Sequence, residues 1–98
     1  MSREEILTVL KRHRGEIEER HHVSLLALFG SVARGEGSVS SDIDVLVELQ
    51  PKTFDAYMDV KLLLEKVLGR KVDLVLADAV KPRLRPMILA EAVHATRL

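Results

Sequence analysis

The sequence predicts a two-layer α/β (α+β) protein, a small mixed sheet flanked by helices, and three observations carry that expectation. Short apolar runs of strand length alternate with longer charged stretches in which apolar residues recur at helical spacing. Clusters of glycine, serine or proline punctuate the runs. The chain has 98 residues, 47% of them hydrophobic, enough for one core and therefore for a single domain over residues 1–98.

Ser2 followed three residues later by Glu5 fits a capping box, and Ile6, Leu10, His13 and Ile17 repeat at helical spacing. A first amphipathic helix is expected over roughly residues 2–20. Val23 to Phe29 is a short apolar run stopped by Gly30, which reads as a buried strand. Gly30 to Ser41 is rich in glycine and serine, with room for one helical turn around Ser31–Arg34. Ile43 to Leu49 has the near-alternating, β-branched pattern of a second strand. Thr53 can cap a long helix whose apolar face is Phe54, Tyr57, Val60, Leu64, Val67 and Leu68 and whose end is Gly69. Val72 to Leu76 is a third strand, with Asp73 on the face opposite Val72 and Leu74. Pro82 and Pro86 punctuate a basic linker, and a last helix is expected from Met87 to about His94.

The totals exclude several classes. Lys and Arg number 15 against 15 Asp and Glu, a balance that argues against a generally basic nucleic-acid surface, so no direct DNA binding is expected. With no cysteine there is neither a disulfide scaffold nor a thiolate zinc site. The first residues lack a signal peptide's apolar centre and no run reaches membrane-spanning length, so a cytoplasmic protein without a membrane partner is expected. The zero net charge is a cancellation: residues 23–69 carry four basic and seven acidic side chains, residues 70–98 six and three.

The chemistry concentrates between Leu28 and Val47. Asp is depleted from strands, yet Asp42 and Asp44 open one. Residues two apart in a strand share a face, about 6.6 Å apart at a rise of about 3.3 Å per residue. Two carboxylates so placed can converge on ions about 3.5–4 Å apart, the spacing of a two-metal phosphoryl-transfer site. Mg²⁺ suits them, because it takes oxygen ligands and shares its shell with substrate phosphates. Upstream, Gly30-Ser31 opens a turn that offers backbone N–H groups and a hydroxyl to an anion, and Arg34, one turn on, can steady a phosphate. A dinucleotide fingerprint at Gly35-x-Gly37 fails because Ser40 stands where the third glycine belongs, and Ile43 and Val45 exclude an EF-hand loop.

Gly30-Ser31, the ten residues Val32–Ser41, and Asp42-Ile43-Asp44 together resemble the signature of the nucleotidyltransferases of the DNA polymerase beta type. More narrowly, the chain is similar to the minimal nucleotidyltransferases, the MntA-type antitoxins, over nearly its whole length. The resemblance implies a palm-like fold, ATP as nucleotide donor, and two Mg²⁺ ions held by Asp42, Asp44 and a third carboxylate on a neighbouring strand. Asp73 is the candidate for that third group, with Asp78 its competitor at the strand's end. Gly30 and Ser31 would then position the β- and γ-phosphates. The resemblance also implies a partner, a HEPN-type ribonuclease toxin whose tyrosine receives AMP. Two rival readings stand beside this one: occlusion of a partner without catalysis, and transfer to a small molecule such as an aminoglycoside.

Other residues have plainer readings. His13 lies on the apolar stripe of the first helix, and His21-His22 and His94 read either as metal ligands or as solvated ends. Tyr57 is either core or an acceptor of self-modification, and Arg83 and Arg85 either solvated or facing a nucleotide or acidic partner.

Overall fold

Ser2 begins the first helix, α1 (Arg3–Arg12): its hydroxyl accepts from the Glu5 N–H at 3.1 Å, and its own N–H donates to Glu5 Oε1 at 2.9 Å. The computed structural model describes residues 2–36 and 42–95. The helix expected to run to about residue 20 is broken after Arg12. His13 caps α1, and a π-helical turn over Glu16–Arg20 follows, with His21 N–H donating to Glu16 O at 3.3 Å. Gly15 weakens the helix there. The wider turn takes up an extra residue, so that Ile17 reaches the core before the chain reverses into the sheet.

The remaining elements are β1 (Val23–Phe29), α2 (Gly30–Ala33), β2 (Ile43–Leu49), α3 (Phe54–Leu68), β3 (Val72–Leu76), a 3₁₀ turn at Ala77–Ala79, α4 (Arg85–Glu91) and β4 (Val93–His94). Thr53 caps α3 by accepting from Ala56 N–H at 3.1 Å, and Gly69, at φ 65°, closes it in the left-handed region. The last helix differs from expectation. It starts at Arg85, ends at Glu91, and leaves Val93–His94 to pair antiparallel with Leu28 and Ala27. The open edge of β1 needs backbone partners, and Ala95 N–H donating to Leu26 O at 2.8 Å continues the pairing.

The mixed sheet has the order β3-β2-β1-β4, with β1 antiparallel to both neighbours and β2 parallel to β3 through the α3 crossover. On one face Ile43, Val45, Val47 and Leu49 meet Ile6, Leu10 and Ile17 from the N-terminal helical segment and Val60, Leu64 and Leu68 from α3. Each such side chain contributes about 1.5–3 kcal/mol by leaving water. The opposite face is covered thinly. Ala27, Leu46 and Val80 form a small cluster under Ile88 and Ala92, and beside it lies a groove of about 190 Å³ lined by Leu25, Leu46, Val80 and Leu89. Among the described residues, no helix is long and apolar enough to cross a membrane.

Candidate active site

The turn that ends β1 is set by Gly30. Its φ of 72° lies in the left-handed region, which an L side chain resists. A Cβ there would also strike the Asp44 carboxylate, 3.0 Å from Cγ and 3.2 Å from Cβ. Asp44 is opposite Phe29 in the β1–β2 pairing, so strand register itself brings the carboxylate against the glycine. Ser31 follows in α2, and Arg34 caps that short helix. Arg3 Nη1 donates to Ala33 O at 2.8 Å and fastens α2 to α1.

Asp44 alternates away from the main core and lies on the thinly covered face. Its partner across the parallel β2–β3 pairing is Asp73, so the two carboxyls extend from adjacent strands about 4.8 Å apart. Asp42 sits just ahead of β2 and is exposed, as is Asp73. Burial pushes the Asp44 carboxyl above its ordinary range, the Asp73 charge and a hydrogen bond to Asp73 push it further, and Asp42 adds to the effect; Arg34 pulls weakly the other way. Asp78 stands elsewhere, in the 3₁₀ turn after β3, ion-paired with Lys52 and held below the usual carboxylate range by that contact.

Among the described residues, no three carboxylate or imidazole groups form a complete cage for a metal ion. The donor set nevertheless fits Mg²⁺, which takes one or two carboxylates and fills its shell with water and substrate phosphate. A half-buried carboxyl facing two more is the environment that a hard divalent cation relieves.

Arg34 is engaged in ion pairs, its Nη1 with Glu91 Oε2 at 3.0 Å and its Nε with Glu36 Oε1 at 3.3 Å. The Gly30 N–H donates to Glu91 Oε1 at 3.0 Å. Glu91 is absent from the sequence-based site, and the one signal for it is an acidic residue in a basic tail. Tyr57 packs as a structural residue, its hydroxyl donating to Leu74 O at 2.7 Å. His13 is 3.9 Å from Glu16, and Arg85 donates to Val80 O at 3.4 Å beside the groove. Arg83 and His94 are exposed. Residues 37–41 of the spacer, Ser40 and Ser41 included, lie outside the described residues.

Comparison with known proteins adds four findings. Residues 10–95 match the family model of the nucleotidyltransferase domain. The protein adenylyltransferase MntA of Thermococcus cleftensis is 35% identical over 92 residues, which cover 93% of each chain. A solved structure provisionally described as a minimal nucleotidyltransferase superposes with a TM-score of 0.81 at 37% identity, covering 95% of each chain. A structure of tri-AMPylated Shewanella oneidensis HEPN toxin in complex with MNT antitoxin also has a chain of this fold, with a TM-score of 0.64 at 18% identity over 94% of this chain and 73% of that one.

Proposed function

The chain belongs to the nucleotidyltransferase domain family, and on that premise we propose that it transfers AMP from ATP, with Mg²⁺, to a hydroxyl on a partner macromolecule in the cytoplasm, a tyrosine of a HEPN-type ribonuclease toxin. The observation that supports this reading most directly is the pairing of Asp44 with Asp73 beside the Gly30 turn. That arrangement sets carboxylates for a cation next to backbone and hydroxyl donors for a phosphate.

Asp42 and Asp44 would hold two ions between them. Asp73, on the far strand, would stand at the acceptor side, where its carboxylate favours loss of the hydroxyl proton. Gly30 and Ser31 would orient the β- and γ-phosphates, so that the acceptor oxygen attacks the α-phosphorus and pyrophosphate leaves. Bound Mg²⁺ supplies charge neutralisation and alignment. The relatives lend the acceptor. One is named for protein adenylylation, and a chain of the same fold stands in a complex whose HEPN toxin carries AMP.

The test incubates the protein, Mg²⁺ and α-labelled ATP with a HEPN-type protein encoded beside it, against the double variant D42N/D44N. Label should pass to a tyrosine of the partner with the native protein alone. Equal labelling by the variant, or none by either, would sink the catalytic reading, and undiminished toxin neutralisation by the variant would support occlusion instead.

A further inference from the structure

Glu91 is a carboxylate beside this site to which the proposed reaction gives no task, and unlike Glu36 it also reaches the Gly30 amide. It comes from the last turn of α4, and its two oxygens occupy two of the donors that the nucleotide reading assigns to phosphate: Oε1 accepts from Gly30 N–H and Oε2 from Arg34 Nη1, each at 3.0 Å. An amide and a guanidinium converging on one anionic group is also how a phosphate is gripped. The Glu91 side chain is 25% exposed and that of Arg34 45%, so the contact is sheltered and yet reachable from solvent. The Gly30 amide and Arg34 hold the Glu91 carboxyl below its ordinary range, which keeps it an anion.

We propose that Glu91 is a positioning residue of the phosphate site, an internal anion that holds the Gly30 amide and the Arg34 guanidinium in the free enzyme and is exchanged for phosphate oxygens when the nucleoside triphosphate binds. The inference rests on the reading of Gly30, Ser31 and Arg34 as the phosphate side of the site. One N–H cannot serve both anions, and a triphosphate brought against an ionised Glu91 meets like charge. Exchange therefore subtracts from nucleotide affinity and selects for ligands with enough phosphate charge to displace a carboxylate. Arg34 stays oriented during the exchange, because Glu36 holds its Nε from the other side at 3.3 Å. Glu91 is supplied by a fixed part of the fold, since two residues later, at Val93, the chain enters β4 on the sheet edge.

The experiment measures binding by calorimetry with Mg²⁺ and α,β-methylene-ATP, whose α–β bridge resists cleavage, and with adenosine as the phosphate-free control. E91Q keeps the shape and loses the charge. Its affinity for the triphosphate analogue should rise about three- to tenfold, the difference between a charged and a neutral hydrogen-bond partner, with adenosine unchanged. E91A should bind the analogue at least as tightly as E91Q, and the gain should shrink in an R34Q background. Triphosphate affinity of E91Q at or below that of the native protein, or an equal gain for adenosine, overturns the proposal. Native protein that binds no analogue refutes the nucleotide reading and this inference with it; native binding without an E91Q gain refutes this inference alone. Should both Glu91 variants fail to fold, the Gly30 amide resonance of native protein reads the same exchange. It must move on adding analogue and stay fixed with adenosine, and any other response overturns the proposal.

Discussion

Gly30→Ala tests the contact on which the site geometry turns. Two penalties add at this position. The backbone conformation at φ 72° costs an L residue about 1–2 kcal/mol. The new methyl group also meets Asp44, with Cγ at 3.0 Å and Cβ at 3.2 Å. Rotation of the carboxylate clears its oxygen but not its Cβ, so the strands must shift, an overpacking cost of about 1–3 kcal/mol. The total is about 2–5 kcal/mol. Gly69→Ala separates the two penalties, since Gly69 has nearly the same φ, 65°, and open space where the methyl group would go; it should lose about 1–2 kcal/mol. In an Asp44→Ala background the Gly30→Ala penalty should fall to the same about 1–2 kcal/mol, giving a coupling of about 1–3 kcal/mol. Urea unfolding of the four variants and the native protein, without Mg²⁺, supplies all the numbers. In the labelling assay, a shift of about 1 Å in Asp44 should cost Gly30→Ala about a hundredfold in rate while Gly69→Ala stays near native. The reasoning is refuted if Gly30→Ala costs no more than Gly69→Ala, or if its cost is unchanged when Asp44 is removed.

Three further outcomes follow from the same contacts. Asp73→Asn should raise the melting temperature of metal-free protein, because it removes a charge that faces Asp44, and should cut AMP transfer by at least about a hundredfold, the scale of one positioned proton-transfer group; loss of both stability and transfer would place Asp73 in a packing role. The folded pKa of Asp44 lies above its unfolded value, so between those two values folded protein without metal binds more protons than the unfolded chain. Its stabilising contribution is complete below the unfolded value and is lost as pH rises through the folded one, while Mg²⁺ binding strengthens over that same rise; Asp44→Asn should abolish both trends in thermal melts run with and without Mg²⁺. Tyr57→Phe should lose about 0.5–1.5 kcal/mol in urea unfolding with AMP transfer intact, since it removes only the bond to Leu74 O, and loss of labelling would instead mark Tyr57 as a functional residue.

What the sequence showed, and what it hid, divides by range. The three longer strands and α3 were legible because their cues are local: Phe29 and Gly30 end one strand, and Thr53 and Gly69 bracket one helix. Asp44 and Asp73 are each the second residue of their strands, so once those strands are parallel and in register the two carboxyls are neighbours. The interruption after Arg12 stayed hidden, because Ile17 faces the core whether the helix is continuous or widened. Val93–His94 stayed hidden because two residues carry no period, and only the open edge of β1 makes them a strand. The role of Glu91 stayed hidden for a stronger reason, its acidic side chain in a basic tail naming no partner. Its partners stand 57 and 61 residues away, and no spacing rule spans that gap.

The division of the sheet between two faces accounts for where the site lies. One face receives the large buried side chains of α1 and α3 and carries most of the stability. Among the described residues the other is closed only by α4 and the segment around the 3₁₀ turn, and so can hold Asp44 half-buried without burying it outright. Full burial of a charged carboxyl beside two others would protonate it and remove it as a cation ligand; full exposure would leave the cation to water. The thin cover also explains the reach of Glu91. The helix that shelters the small cluster ends beside the Gly30 turn, so the element that completes the second layer delivers a carboxylate to the Gly30 amide and the Arg34 guanidinium. A substitution that loosens α4 from Ala27 and Leu46, such as Ile88→Ala, should therefore act on nucleotide affinity as well as on stability, whereas an equally destabilising change on the other face, such as Leu64→Ala, should leave the affinity of the folded fraction untouched.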